Sequence, residues 1–222
     1  KNLSAMGFVK FDFLGLANLR VIDHCLKLIS RRTGKTYEEL DESISARKMD
    51  LNDINIMKHI FWKGNCAGIF QFTNNGIRSL ARRVKPDSFT DVSAITSLYR
   101  PGPLGSKMDQ LYGENKRKFL ADELVFEHPL LENILKSTYG CLVYQEQLMQ
   151  VCQFLGKMEF KDVQRIRKQL LKKDKSRSDE YRKNENDELS GKIVAGCIEN
   201  GLTKERAEGW WSDILFFGGY GF

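Results

Sequence analysis

The chain contains no CxxC pair. Its five cysteines, Cys25, Cys66, Cys141, Cys152 and Cys197, are scattered and odd in number. That pattern argues against a disulfide framework or a zinc site and for a reducing compartment. Only three histidines occur, His24, His59 and His128, too far apart for ligand spacing. His24 falls in a helical pattern and reads as packed there. No apolar run approaches the length needed to span a membrane, and neither a signal-peptide pattern nor an internal repeat is visible. A cytoplasmic chain without a membrane partner is expected.

Charge and apolar residues are both plentiful. Of 222 residues, 41% are hydrophobic, enough for a core, and 29% are charged. Lysine and arginine exceed aspartate and glutamate by six. The excess favours an anionic partner, with nucleic acid ahead of a membrane surface.

Near the start stands "FVKFDFLGL", a greasy stretch carrying two full charges. On a β-strand, residues two apart share a face. Val9, Phe11 and Phe13 would then be buried on one side. Lys10 and Asp12 would project from the other, roughly 7 Å apart. An ordinary surface ion pair, worth about 0 to 1 kcal/mol, fits that geometry too.

Helical periodicity dominates the remainder of the chain. Leu16, Leu19, Ile22, Leu26 and Ile29 recur at helical spacing, with Gly34 as the stop. "TYEELDESISARKMDLND" reads as a short helix and loop, and "INIMKHIFWKG" as a second short helix. "AGIFQF" looks like a strand. A helix carrying Arg78, Arg82, Arg83 and Lys85 ends at Pro86, and another places Val92, Ile95 and Leu98 on one face. Arg100-Pro101-Gly102-Pro103 must be a stiff loop, because the prolines fix φ. The polar stretch from Lys107 to Asp122 reads as a separator. "CLVY" opens a strand or helix, and a helix runs from about Gln145 to Leu155. "FKDVQRIRKQLLKK" is another helix, with Val163, Ile166 and Leu170 as its apolar stripe. Opposite lie Lys161, Arg165, Lys168 and Lys172, while Arg167 falls beside the stripe. Lys161 and Arg165 fit a plain solvated face at least as well as a binding one. "DKSRSDEYRKNENDE" has almost no apolar residues and reads as a mobile excursion. A helical hairpin closes the pattern, with Asn200 and Gly201 ending one helix and Thr203 capping the next.

Taken in order, "VKFDFLGL", "AGIFQF", "KPDSFTDVSAITSLYRPGPL", "TYGCLVYQEQLMQ", "IRKQLLKK" and "GGYGF" resemble one family, the C-family replicative polymerases typified by the alpha subunit of bacterial DNA polymerase III. The resemblance runs from about Phe8 to Phe222. It implies an α+β, mostly α-helical fragment: the C-terminal part of a palm domain over residues 1–60 and a fingers domain over 61–222. It also implies DNA-directed DNA synthesis, a nucleotidyl transfer from a deoxynucleoside triphosphate to a primer 3′-hydroxyl, with a primed DNA template as partner.

In the family, the aspartate matching Asp12 is one of three palm carboxylates that bind the catalytic metals, and the lysine matching Lys10 faces the triphosphate. Two Mg²⁺ ions are implied. One aspartate cannot hold both, and the family's other two carboxylates lie upstream, so the fragment alone is not expected to polymerise. The resemblance also implies nucleotide contacts for Arg167, Lys168, Arg100 and Tyr144, and DNA contacts for Lys172, Lys173, Arg82 and Arg83. Other polymerase subunits or a clamp would bind through regions not present here. The chain departs from the family at Lys168 (arginine there), Leu171 (glycine) and Thr73-Asn74 (Glu-Ser). Those departures leave open a non-catalytic nucleic-acid-binding module with the same fold. Acidic pairs elsewhere, Asp41 with Glu42, Asp50 with Asp53 and Asp179 with Glu180, read as solvated surface.

Overall fold

The computed structural model describes residues 6–9, 11–100, 104, 107–171 and 179–218, with side chains left out for 169–171 and 179–183. The described residues are mostly helical and contain no strand. The chain divides into two units, Lys1–Leu51 with Cys66–Thr73, and Asn52–Asn65 with Asn74–Phe222.

The first unit holds α1 (Ala17–Thr33) and α2 (Tyr37–Ser43). Helix α1 stops where the sequence predicts: Gly34 takes φ 74 and donates its N–H to Ser30 O at 2.9 Å. A reciprocal capping box starts α2, with Thr36 Oγ1 accepting from the Glu39 N–H and Glu39 Oε2 from the Thr36 N–H. Tyr37 ties the helices together by donating to Asp23, which also pairs with Lys27. Of the apolar stripe on α1 only Leu26 is buried, and His24 is exposed rather than packed.

The two expected strands of this unit are absent. Around Asp12 the described residues are irregular, and Phe13 is 94% exposed. Among the described residues no neighbouring strand is present to pair with this segment and fix one face inward. "AGIFQF" is instead a pair of turns, with Ile69 N–H bonded to Cys66 O and Phe72 N–H to Ile69 O. Gly68 and Gln71 both take positive φ there, which no strand tolerates.

In the second unit α3 (Ile54–Ile56) runs into a π-helical turn, Met57–Phe61. Then come α4 (Asn75–Val84), α5 (Phe89–Leu98), α6 (Met108–Leu120), α7 (Pro129–Leu135) and α8 (Gln145–Gln150). Helix α8 continues through a second π-helical turn, Val151–Leu155. Helices α9 (Phe160–Leu171), α10 (Asp179–Glu199) and α11 (Lys204–Gly218) complete it.

Three expectations fail in this unit. Residues 141–144 form neither strand nor helix, because Gln147 Oε1 takes the N–H groups of Val143 and Tyr144 that a neighbouring strand would need. The polar stretch after Lys107 is helix α6, and one of its lysines is buried. The supposed excursion is helical from Asp179 onward, because its charges pair across to α9; residues 172–178 lie outside those described.

One core gathers α7 to α11 around Leu135, Val151, Leu155, Ile166, Ile193 and Ile214. The α10–α11 turn follows the predicted stop: Gly201 has φ 93, and the Arg206 N–H donates to Thr203 Oγ1. Gly196 packs so closely that a Cβ there would overlap the Gly156 carbonyl.

A second centre, between α4, α5 and α6, is polar. Asp91 is 0% and Lys116 1% exposed. Lys116 Nζ donates to Asp91 Oδ2 at 2.5 Å and to Lys85 O at 3.0 Å, and lies 3.1 Å from Asp87 Oδ1. Tyr112 and Tyr139 donate to Asp91 Oδ1 at 2.8 and 3.1 Å. Burial pushes the Asp91 carboxyl up, but the hydrogen bond and charge of Lys116, aided by Tyr112, outweigh it and hold the carboxyl below its ordinary range.

Asp91→Ala should cost about 3–5 kcal/mol in a denaturant titration, since it takes the nearest counter-charge from a buried ammonium and the shared acceptor from two tyrosine hydroxyls. Asp91→Ala with Lys116→Met should cost less than the two single changes summed. Gly196→Ala should cost at least about 1–3 kcal/mol, because backbone must move. Additive costs at Asp91 and Lys116 would mean that the two groups are not coupled.

Candidate functional site

Asp12 is exposed in an irregular segment of the first unit. Lys10 lies outside the described residues, so the proposed pairing of the two is a feature of the sequence alone. A single carboxylate offers one set of hard oxygen donors, and Mg²⁺ seeks near-octahedral oxygen coordination. Among the described residues no group of three or more His, Cys, Asp or Glu is placed to hold a metal.

In the second unit Arg82 and Arg83 lie on α4 and Arg167 and Lys168 on α9. Helix α4 is capped by Asn74, whose Oδ1 accepts from the Gly76 N–H at 2.9 Å and the Tyr99 hydroxyl at 3.2 Å. The residue that departs from the family pattern thus acts as a helix cap. Arg82 and Arg83 are exposed on the last turn of α4. The Arg83 guanidinium bonds the carboxylate of buried Asp109 on α6, which fixes its direction. Arg82 folds over Gly64, where a Cβ would collide with its guanidinium.

Tyr99 ends α5, and Arg100 follows it exposed, its N–H bonded to Leu98 O at 2.9 Å. Pro101–Pro103 lie outside the described residues. Half-buried Tyr144 precedes α8, and its hydroxyl donates to Ser93 Oγ at 3.3 Å.

Helix α9 buries Val163 and Ile166 as its periodicity predicts. Arg167 and Lys168 are both exposed, whereas Lys172 and Lys173 lie outside the described residues. Lys161 is exposed and pairs with Glu159 at 2.8 Å. Arg165 is drawn into α10 instead of facing solvent. It bonds Asp162 at 2.9 Å, Glu185 at 3.1 Å and Glu188 at 3.0 Å. Lys192 closes the network through Asp162 at 2.7 Å and Glu188 at 2.8 Å. The hydrogen bonds of Arg165 and then Lys192 hold the Glu188 carboxyl down at about 2. Asp162 is likewise lowered, first by Lys192 and also by Arg165, against the opposing effect of its burial.

Sequence reasoning missed this network. The signal was available: Glu185, Glu188 and Lys192 follow at steps of three and four, the spacing of neighbours on one helix face. Trp62 was also passed over; its ring lies 5.8 Å from both Lys58 Nζ and Lys85 Nζ. No described helix is long and apolar enough to cross a membrane.

A profile of the bacterial DNA polymerase III alpha subunit finger domain matches residues 18–192. The chain is 36% identical over 221 residues to DNA polymerase III subunit alpha of Campylobacter jejuni, covering 100% of this chain and 17% of that protein. It is 36% identical over 222 residues to the namesake from Helicobacter pylori strain J99, again covering 100% and 17%. To that of Aquifex aeolicus it is 34% identical over 220 residues, covering 99% and 17%. The chain therefore spans 17% of the length of these curated relatives.

The α9–α10 network predicts an acid response. A carboxyl depressed in the folded state contributes fully above its unfolded pKa, and the contribution is lost as pH falls through the folded value. For Glu188 that window runs from its ordinary 4.5 down to about 2. Glu188→Gln should therefore show a shallower fall of Tm with pH across that window than the parent chain. Parallel Tm profiles would mean that Glu188 contributes nothing to acid sensitivity.

Proposed function

Because the chain belongs to the finger-domain family of bacterial DNA polymerase III alpha subunits, we propose that it supplies the fingers, with adjoining palm residues, of a replicative DNA-directed DNA polymerase. The match across nearly the whole chain carries this reading. On this proposal residues 1–60 belong to the palm and 61–222 to the fingers, in a cytoplasmic enzyme.

The reaction is nucleotidyl transfer from a deoxynucleoside triphosphate to a primer 3′-hydroxyl. Exposed Asp12 supplies one ligand for Mg²⁺, whose role when bound is to polarise the reacting oxygens. The remaining ligands come from parts of the longer polymerase. Lys10, Arg167 and Lys168 bring positive charge to the triphosphate, and lysine acts as a point cation where arginine would give a two-pronged fork. Arg100 and Tyr144 flank the incoming nucleotide. Arg82, Arg83, Lys172 and Lys173 neutralise DNA phosphates. The Arg165 network serves this arrangement indirectly, by anchoring the helix that displays Arg167 and Lys168.

The test uses the full-length polymerase in primer extension with Mg²⁺. Asp12→Ala should abolish extension while primed-template affinity stays within about threefold. Lys10→Ala and Arg167→Ala should raise KM for the nucleotide by about tenfold, as expected for a lost charge-assisted contact of about 1.4 kcal/mol. Normal turnover in Asp12→Ala would sink the catalytic assignment and leave a nucleic-acid-binding module.

A further inference from the structure

From Ile54 to Pro86 the chain has no aspartate or glutamate, yet it carries Lys58, Lys63, Arg78, Arg82, Arg83 and Lys85. With 29 acidic residues in 222, a run of that length would hold about four. All six cations belong to the second unit, and Trp62 sits among them.

Three features fix the position of Trp62. The π-helical turn Met57–Phe61 delivers it, with the Trp62 N–H bonded to Met57 O at 3.0 Å. Such turns insert an extra residue into a helix and recur at functional sites. The indole Nε1–H donates to Pro86 O at 2.7 Å, which pins one edge of the half-buried ring. Lys58 Nζ and Lys85 Nζ each lie 5.8 Å from the ring centroid, and both lysines are exposed. Lys85 itself is held in a left-handed conformation, φ 51, with its carbonyl gripped by buried Lys116. Exposed Lys63 follows Trp62 directly.

An edge-anchored indole flanked by ammonium groups, in a run without carboxylates, matches the two parts of an unpaired nucleotide. The base offers a π-face and the backbone offers phosphates. A duplex keeps its base faces stacked, and the aspartate and glutamate side chains of an acidic peptide offer no aromatic face to the indole. We propose that Trp62, Lys58 and Lys85 form a stacking and phosphate-binding site for single-stranded nucleic acid. The site rests on charge and stacking chemistry and is independent of the catalytic reading. It is therefore tested without metal or nucleotide.

The experiment is photocrosslinking of the full-length protein, in EDTA, to a twelve-residue oligothymidylate carrying 5-iododeoxyuridine, with tryptic mapping. The adduct should fall on the peptide His59–Lys63. It should vanish in Trp62→Ala and persist in Trp62→Phe. Lys58→Gln should lower its yield at least fivefold at moderate salt, and flatten the dependence of log affinity on log salt by about 0.7. An oligomer paired with its complement should give at least tenfold less adduct. No adduct on that peptide in the parent protein would overturn the proposal. So would equal yield from duplex, or competition by polyglutamate as effective as by oligothymidylate. If Trp62→Ala fails to fold, the parent protein's peptide map and the Lys58→Gln yield still decide.

Discussion

In the second unit, helices α4, α5 and α6 are organised around one buried ion pair. Lys116 and Asp91 are almost wholly withdrawn from water, and ions of that size cost several kcal/mol each to desolvate. The geometry offsets this through completeness. Asp91 receives Lys116, two tyrosine hydroxyls and the Asp87 N–H. Lys116 in turn holds the Lys85 carbonyl. A network this fully satisfied admits few alternative arrangements, so it fixes α4, α5 and α6 against one another more narrowly than apolar packing would.

The exposed residues depend on that rigidity. Arg83 is steered by Asp109 on α6, and Lys85 is held at the end of α4 by Lys116. Tyr144 reaches Ser93 on α5. Elsewhere in the unit, Arg165 performs the corresponding task between α9 and α10 through the carboxylates of Asp162, Glu185 and Glu188. In both places a buried or half-buried cation is used for position, while neighbouring cations stay on the surface.

Much of this was legible in residue order. Gly34, Asn200, Gly201 and Thr203 marked helix ends by local hydrogen bonding and positive φ, and those rules involve only a few neighbouring residues. Val163 and Ile166 identified the buried stripe of α9. Strands were misread because alternation alone does not make one: "FVKFDFLGL" has no partner strand among the described residues, and "AGIFQF" bends at Gly68 and Gln71. Polarity also misled. The stretches holding Lys116 and Glu185 looked like linkers, yet both residues are buried where an opposite charge waits.

Residue order by itself determined most of the helices, α6 and the start of α10 excepted, and the basic character of α4 and α9, because propensity, capping and periodicity act within one or two turns. Tertiary structure alone decided which charges serve the protein interior and which face outward. Lys116 finds Asp91 across 25 positions and Arg165 finds Glu188 across 23. No local pattern encodes such pairings, since the energy of a charge depends on the dielectric and the partners that packing brings to it.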